Sequence, residues 1–386
     1  MPPPQPLQTL VARYDRAVFE PVGGQARVRL EIGEDEAWDA LLEQDGMRLD
    51  APNGGADATL AAGRQTWQAV ARDVGGGMRA YLKGRLSIHR NLHLGVGFLA
   101  ATSGASDGAR LRFATVRIPK ARISTLEAGR GPAVVALHGL GGTKGSFLPT
   151  VAALADRYRV IAPDLPGFGD SDKPLAASYD ARYFAEAVIE LLDELDIDRA
   201  HLIGNSLGGR IALEIGMSHP DRVGRLALLA PSMAWRRPRA LAPLLRVVRP
   251  ELGLVQLAPR PAVEVIVHRL IPAANHGWTA AGVDEFLRAY LTPSGRAAFY
   301  AAARHIYLEE PDGSHGFWTR LRELAPEALF VWGRRDRLVP IAFARHVTDA
   351  LPQAQHLMLD CGHVPQIERP RETHAAVGAF LAAAAP

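Results

Sequence analysis

The chain has 386 residues, of which 48% are apolar, 22% charged and 7% aromatic. That composition fits a folded globular protein and excludes a wholly disordered, collagenous or disulfide-stapled chain. Lys and Arg number 44 against 41 Asp and Glu; the net charge of +3 implies no nucleic-acid partner, and the single cysteine, Cys361, forbids an intrachain disulfide and agrees with a reducing compartment.

In chain order, Met1 to Pro6 is mostly proline and lacks the basic-then-apolar order of a secretory signal. No run reaches the roughly 18 apolar residues that span a bilayer. A cytoplasmic protein is expected. Over Asp57 to Ala100 the periodicity predicts a strand, two short amphipathic helices and a strand between. His89 and His93 have the spacing of a metal pair, but no third ligand is near in sequence, so no metal site is expected. Ser103 to Arg110 (SGASDGAR) is small, polar and without periodicity, the composition of an exposed linker.

The remainder alternates strand-like and helical segments. Apolar runs lie at Pro132–His138, Arg159–Ala162, Ala200–Gly204, Arg225–Ala230, Ala328–Trp332 and His356–Leu359. Tyr179 to Leu195 has helical spacing, with Phe184, Val188, Leu191, Leu192 and Leu195 on one face. Continuous apolar runs separated by helices predict βαβ units and a mostly parallel sheet. The alternation breaks between Ser232 and about Pro326. This stretch is rich in arginine (Arg236, Arg237, Arg239, Arg246, Arg249) and holds nine of the 26 aromatics: Trp235, Trp278, Phe286, Tyr290, Phe299, Tyr300, Tyr307, Phe317 and Trp318. An insertion there sits over the carboxyl ends of the strands, where ligands bind, and is read as a helical cap at about 232–326.

Gly204-Asn205-Ser206-Leu207-Gly208 matches G-x-S-x-G. It follows an apolar strand and opens the helical stretch Gly209–Met217, which is the setting a nucleophile elbow requires. A serine hydroxyl needs a base to take its proton and an acid to orient that base. Asp336 follows the strand ending at Trp332, and His363 follows the strand ending at Leu359. Their order, Ser, Asp, His, and their strand-end positions make Ser206, Asp336 and His363 the candidate triad. The oxyanion needs preplaced donors: the Leu207 amide, directly after the serine, and the Leu140 amide in His138-Gly139-Leu140-Gly141-Gly142 are the candidates.

These motifs carry a resemblance. HGLGG (138–142), PDLPGFGDSD (163–172), GNSLGG (204–209), WGRRDRLVP (332–340) and CGHVPQIERP (361–370) occur in the order found in the α/β-hydrolase superfamily, which the chain resembles from about Phe113 onward. The resemblance implies an α/β fold with a mostly parallel sheet and a helical cap insertion, and an acyl-enzyme mechanism without cofactor or metal. Asp164 and Asp170 are then structural residues of a strand-end loop. Dehalogenases and epoxide hydrolases of this fold use an aspartate nucleophile, whereas position 206 is serine. The meta-cleavage C–C hydrolases share the GNSxGG elbow and usually carry tryptophan after the catalytic histidine; here that residue is Val364. The expected reaction is therefore hydrolysis of carboxylic esters with an apolar acyl or lipid-like part, in the manner of esterases and lipases. The alternatives are C–C or thioester cleavage, or a lipid-binding scaffold with a vestigial hydrolase.

Lys83-Gly84-Arg85-Leu86-Ser87-Ile88-His89-Arg90-Asn91-Leu92 resembles the G-(K/R)-L-x-(I/V)-x-G-(N/D) strand of sterol-carrier-protein domains, with Arg90 where glycine is usual. This implies a small α+β domain with an apolar tunnel for acyl chains or sterols. The expected organisation is a sterol-carrier-like domain at 1–102, a linker at 103–110 and the hydrolase domain at 111–386. Gly141 to Ser146 departs from a phosphate loop because Gly145 separates Lys144 from Ser146. Cys361 is read as buried packing. The cap arginines beside Leu241, Leu244, Leu245, Val247 and Val248 are read as a solvated helix face, with a peripheral membrane contact and a homo-oligomer left open.

Overall fold

In Ala26–Ile32 (ARVRLEI) apolar and charged residues alternate, so an extended chain buries Val28, Leu30 and Ile32 and turns Arg27, Arg29 and Glu31 outward. In the computed structural model this segment is the central strand of a five-stranded sheet. The structure describes residues 2–21, 23–72, 76–104, 111–236, 242–247, 249–255, 259–261, 263, 265 and 277–383. Arg237, Arg239, Leu241, Val248, the Trp278 side chain and most of the expected linker lie outside the described residues.

The N-terminal part comprises α1 (Gln5–Arg13), β1 (Ala26–Ile32), β2 (Glu36–Glu43), β3 (Gly46–Asp50), β4 (Ala58–Ala62), α2 (Arg64–Arg72), α3 (Gly76–Leu82), β5 (Leu86–His89) and α4 (Leu92–Ala101). Its sheet runs β3-β2-β1-β4-β5. The strands β1 to β3 and helix α1 were absent from the expectations above. Arg90 takes φ +71°, so it adopts the left-handed turn that glycine would favour. Helix α4 is buried on every side, as a helix apolar all round must be. Two glycines let neighbours reach its backbone: a β-carbon on Gly95 would stand 2.4 Å from Ile88, and one on Gly97 would stand 2.2 Å from the Phe19 ring.

The second sheet has eight strands in the order β13-β12-β11-β10-β8-β9-β7-β6. They are β6 (Arg112–Ile118), β7 (Ala121–Ala128), β8 (Ala133–Leu137), β9 (Arg159–Pro163), β10 (Ala200–Asn205), β11 (Val223–Leu229), β12 (Ala328–Gly333) and β13 (Gln355–Leu359). The strands from β9 to β13 by way of β8 pair in parallel, and the unforeseen hairpin β6–β7 closes one edge in antiparallel register. Helices α5 (Leu148–Leu154), α6 (Ala181–Glu194), α7 (Leu207–Ser218), α12 (Phe343–Ala350), α13 (Pro365–Glu368) and α14 (Pro370–Ala382) connect and cover the strands. Between β11 and β12 lie α8 (Ala242–Val247), α9 (Gly277–Tyr290), α10 (Pro293–Leu308) and α11 (Phe317–Leu321). No described helix is long and apolar enough to cross a membrane.

The two sheets share one buried apolar cluster, which runs from Leu7 and Leu10 through Phe19, Phe98 and Phe147 to Leu381. The seam is specific. The Phe113 amide on β6 donates to the Val18 carbonyl (3.2 Å), and the Phe113 ring meets Phe19 and His93 edge-on at 5.3 and 5.0 Å. The N-terminal part is thus packed against the second sheet along α4 and β6.

Candidate active site

Strand β10 ends at Asn205 and α7 begins at Leu207, leaving Ser206 alone at the corner with φ +53° and ψ −114°. This is a strained conformation for a non-glycine residue, and it lifts the side chain above the sheet edge. The flanking glycines are sterically required. A β-carbon on Gly204 would stand 2.3 Å from the Gly208 carbonyl oxygen, and one on Gly208 would stand 1.9 Å from the Leu137 carbonyl oxygen.

The structure brings Asp336 and His363 together. Loop 333–340 and loop 360–364 follow adjacent strands, and Gly333 lets them close, since a β-carbon there would stand 2.0 Å from the Gly362 carbonyl oxygen. His363 Nδ1 lies 2.8 Å from Asp336 Oδ2. A carboxylate accepts, so Nδ1 carries the proton and Nε2 keeps its lone pair. The other Asp336 oxygen accepts the Leu338 and Val339 amides at 2.8 and 2.9 Å. The Asp336 side chain is fully buried, and that of His363 is 13% exposed.

Two residues missed by the sequence reading hold this geometry. Asn205 Nδ2 donates to the Leu229 and His363 carbonyls at 2.9 and 3.0 Å, tying the elbow to the histidine loop. The Glu368 carboxylate accepts the Gly362 and Val364 amides, one on each side of His363, at 2.7 and 3.1 Å. Both residues stand inside motifs already quoted, GNSLGG and CGHVPQIERP, but neither backbone partner can be read from a linear motif. Cys361 is fully buried, and burial pushes its thiol up to about 12, so it holds no thiolate near neutral pH.

The loop His138–Gly142 faces the serine. A β-carbon on Gly139 would stand 3.1 Å from Ser206 Cβ. His138 braces this loop. Its Nε2 accepts the Leu165 amide (2.9 Å), which leaves the proton on Nδ1 to donate to the Gly139 carbonyl (2.8 Å). Burial lowers the pKa of His138, consistent with a neutral ring in this role. Among the described residues, the Leu140 and Leu207 amides have no acceptor. Leu207 follows Ser206 directly and Leu140 follows Gly139, which stands against Ser206, so both segments next to the serine carry a donor without an internal partner.

Above the loop sit cap aromatics. Phe286 and Phe299 press on Gly141, which has φ +72°; a β-carbon there would stand 2.5 Å from the Phe286 ring. Phe286 stacks on Tyr290 at 5.1 Å, and Tyr290 and Tyr300 share a hydroxyl hydrogen bond of 2.8 Å. The cap is anchored at its far end by Arg210 on α7, which pairs with Glu309 and with Glu214 (2.9 Å) and lies over the Phe317 ring. Asp164 and Asp170, expected to be structural, bind Lys144. Lys144 is therefore buried between two carboxylates, at 2.5 and 3.0 Å.

Residues 132–250 match the model of the alpha/beta hydrolase fold. A 2-hydroxy-6-oxo-6-phenylhexa-2,4-dienoate hydrolase of Burkholderia cepacia is 32% identical over 284 residues, covering 68% of this chain and 93% of the relative. The chain belongs to the α/β-hydrolase family. A second relative of this family, a 2-hydroxy-6-oxononadienedioate/2-hydroxy-6-oxononatrienedioate hydrolase of Cupriavidus pinatubonensis, is 32% identical over 70% of this chain and 94% of its own length. Among solved α/β-hydrolase-like structures, a membrane phospholipase A described as a bacterial virulence factor is 29% identical, with a TM-score of 0.56 over 70% of this chain and 86% of its own. An enol-lactonase from Burkholderia xenovorans, at 21% identity, shares the fold with a TM-score of 0.59 over 70% of this chain and all of its own. The chain is thus a hydrolase of this family, and the likenesses cover about 70% of its length.

Proposed function

We propose that the eight-stranded part hydrolyses carboxylic esters with an apolar acyl group through Ser206, His363 and Asp336. The observation that carries the reading is the joint geometry: a strained Ser206 on the elbow, and, on a loop tied to that elbow through Asn205, an imidazole whose tautomer is set by the 2.8 Å contact to buried Asp336. Ser206 Oγ attacks the ester carbonyl carbon while His363 Nε2 takes its proton. The Leu207 and Leu140 amides donate to the resulting oxyanion. Collapse breaks the bond to the alcohol oxygen, which receives the proton from His363. Water then attacks the acyl-enzyme, giving its proton to His363, and the acid departs with Ser206 restored. Among the described residues Ser206 Oγ makes no hydrogen bond; in a substrate-free site this contact is commonly loose and tightens in the substrate complex.

The Phe286, Phe299, Tyr290 and Tyr300 cluster supports an apolar acyl group. The test is hydrolysis of p-nitrophenyl esters of increasing acyl length by the full chain and by Ser206→Ala. Turnover should require Ser206 and rise with acyl length before falling. Equal rates in the variant would remove the assignment.

A second reading, cleavage of a C–C bond in a 2-hydroxy-6-oxo-dienoate, is favoured by the names of the 32%-identical relatives. Such a substrate carries a carboxylate and calls for a cation to receive it. Against it, position 364 is valine, and the buried cap arginine Arg296 donates to the Gly253 and Leu291 carbonyls at 2.9 and 2.5 Å. Arg288 is paired with Asp170 and Glu285, and Arg304 with the Leu245 and Arg246 carbonyls. Decay of 2-hydroxy-6-oxo-6-phenylhexa-2,4-dienoate faster than any ester would decide for this reading.

For residues 1–102 the sterol-carrier-like reading is supported by the 83–92 motif and the five-stranded sheet. Its test is displacement of a fluorescent fatty acid from the full chain by unlabelled acyl chains and sterols; no saturable binding would remove it.

A further inference from the structure

Helix α9 is held from two sides. On one side stands the N-terminal part. Glu285, 2% exposed, accepts the amide of Leu92, the first residue of α4, on its Oε2 at 3.2 Å. Its Oε1 accepts from Arg288 at 2.5 Å. Arg288 continues to Asp170 (2.8 Å), Asp170 to Lys144 Nζ (3.0 Å), and Lys144 to Asp164 through both its ammonium (2.5 Å) and its amide (2.7 Å). On the other side of α9 the Phe286 ring covers Gly141, three residues before Lys144. Helix α4 also touches this loop directly, since a β-carbon on Gly145 would stand 2.9 Å from the Leu92 side chain.

The charge cluster takes one of its donors from α4. Asp164, Asp170 and Glu285 face Lys144, Arg288 and the partly buried Lys173, whose ammonium interacts with Asp164 and Asp170, so three carboxylates meet three cations. His93 stands 3.4 Å from Asp170, but burial holds its pKa far below the ordinary value, so it adds no proton near neutral pH. Glu285 also draws on the N-terminal end of α4, a ten-residue helix whose first amide meets its Oε2. Without α4, the Glu285 carboxylate would lose its backbone donor and keep only Arg288, and it would be expected to turn toward solvent and carry α9 with it.

We propose that the N-terminal domain positions the hydrolytic site: α4 fixes α9 through Glu285, and α9 fixes the oxyanion loop through Phe286 on Gly141. Glu285 and Phe286 are positioning residues, and the five-stranded domain is part of the working enzyme. This rests on the assignment of the 138–142 loop as oxyanion donor made under Proposed function. The reach is short enough for a rate effect, since displacing a donor by about 1 Å costs on the order of a hundredfold.

The experiment uses full-length Glu285→Ala, Glu285→Gln and Phe286→Leu, with p-nitrophenyl butyrate as substrate and a butyl trifluoromethyl ketone as tetrahedral-adduct inhibitor. Active sites are counted by exhaustive fluorophosphonate labelling. In Glu285→Ala and Phe286→Leu, kcat per labelled site should fall about tenfold to a hundredfold while KM changes less than about threefold. Ketone affinity should fall by the same factor as kcat/KM, because both report the oxyanion donors. Glu285→Gln, which keeps an acceptor for the Leu92 amide, should recover part of the loss. An unchanged kcat per site with only a lower Tm would overturn the proposal and leave these residues structural. If Glu285→Ala does not fold, Phe286→Leu decides alone, with wild-type kcat and ketone affinity overturning it. Turnover surviving in Ser206→Ala would instead remove the hydrolytic assignment, and the proposal with it.

Discussion

The molecule contains two Asp–His pairs of similar outline in opposite circumstances. At the strand ends, Asp336 holds His363 at 2.8 Å and accepts two backbone amides on its other oxygen. At the seam between the two sheets, Asp170 stands 3.4 Å from His93 but also binds Lys144 and Arg288. Among the described residues Asp336 has no cationic partner but His363, so its negative charge remains available to an imidazolium formed during turnover. The charge of Asp170 is already balanced by two fixed cations. His363 is partly open, while His93 is enclosed by the edges of Phe19 and Phe113. Two residues of the same kinds are thus set for proton transfer in one place and for cohesion in the other. What differs is which neighbours neutralise the carboxylate and whether the ring can reach substrate.

The largest expected effects separate the pairs by rate. Asp336→Asn should lower kcat about 10⁴-fold with little change in Tm, because His363 loses the partner that sets its tautomer. Ser206→Ala should lower it at least as far. Asp170→Asn should do the reverse. It leaves Lys144 and Arg288 short of a counter-charge, so unfolding free energy should fall by about 3–5 kcal/mol, as when a buried ion pair loses one member. The kcat of the folded fraction should fall far less than in Asp336→Asn. Denaturant titration with active-site counting checks this, and a comparable rate loss in both variants would break the comparison.

The pairs also differ in acid. Burial tends to raise the Asp170 carboxyl, but Lys144 and Arg288 outweigh it and hold it well below the ordinary 3.8. A carboxylate held low when folded contributes stability that is present above about pH 4 and lost as pH falls below it. Asp170→Asn should therefore flatten the acid limb of a stability–pH curve below pH 4. His93 acts in a higher window. Burial, the leading cause, drives its pKa from 6.5 to about 3, so the unfolded chain binds a proton that the folded chain refuses. Stability then falls as pH drops from about 6.5 toward 3. His93→Gln should make the wild-type loss over that range shallower. Melting temperatures from pH 7 to 4 measure it, and a slope identical to wild type would show that His93 charges without penalty.

The smallest effect concerns the seam. Phe19→Leu should cost about 1–2 kcal/mol, because the ring fills the notch over Gly97 and meets Phe113. Its kcat per site should stay near wild type, in contrast to Phe286→Leu.

Much of the site was legible because its chemistry is tied to local order. Gly204 and Gly208 are demanded by a turn of five residues, and that turn identified Ser206. Asp336 and His363 follow apolar runs of parallel-strand type, and parallel strands deliver their following loops to one edge of the sheet. The strands β1 to β3 and the hairpin β6–β7 were less legible: Arg27, Arg29 and Glu31 interrupt β1, and Arg112 and Arg117 flank β6, so neither stretch reads as an apolar run. Asn205 and Glu368 were visible as letters but not as ties, since their partners are backbone groups of distant or looping segments. Gly145 already ruled out a phosphate loop at Lys144, but that Asp164 and Asp170 enclose this lysine could not be read from the sequence.

The sequence by itself determined the mostly parallel sheet, the elbow and the order of the candidate triad. Each of these follows from periodicity or steric demand within a few residues. Only the tertiary structure decided which aspartate keeps its charge available, that Arg296 is bound to carbonyls, and that α4 donates its first amide to a buried carboxylate almost 200 residues away in the chain. Those outcomes depend on burial and on partners supplied by other elements, and the energies of charge and hydrogen bonding change with both.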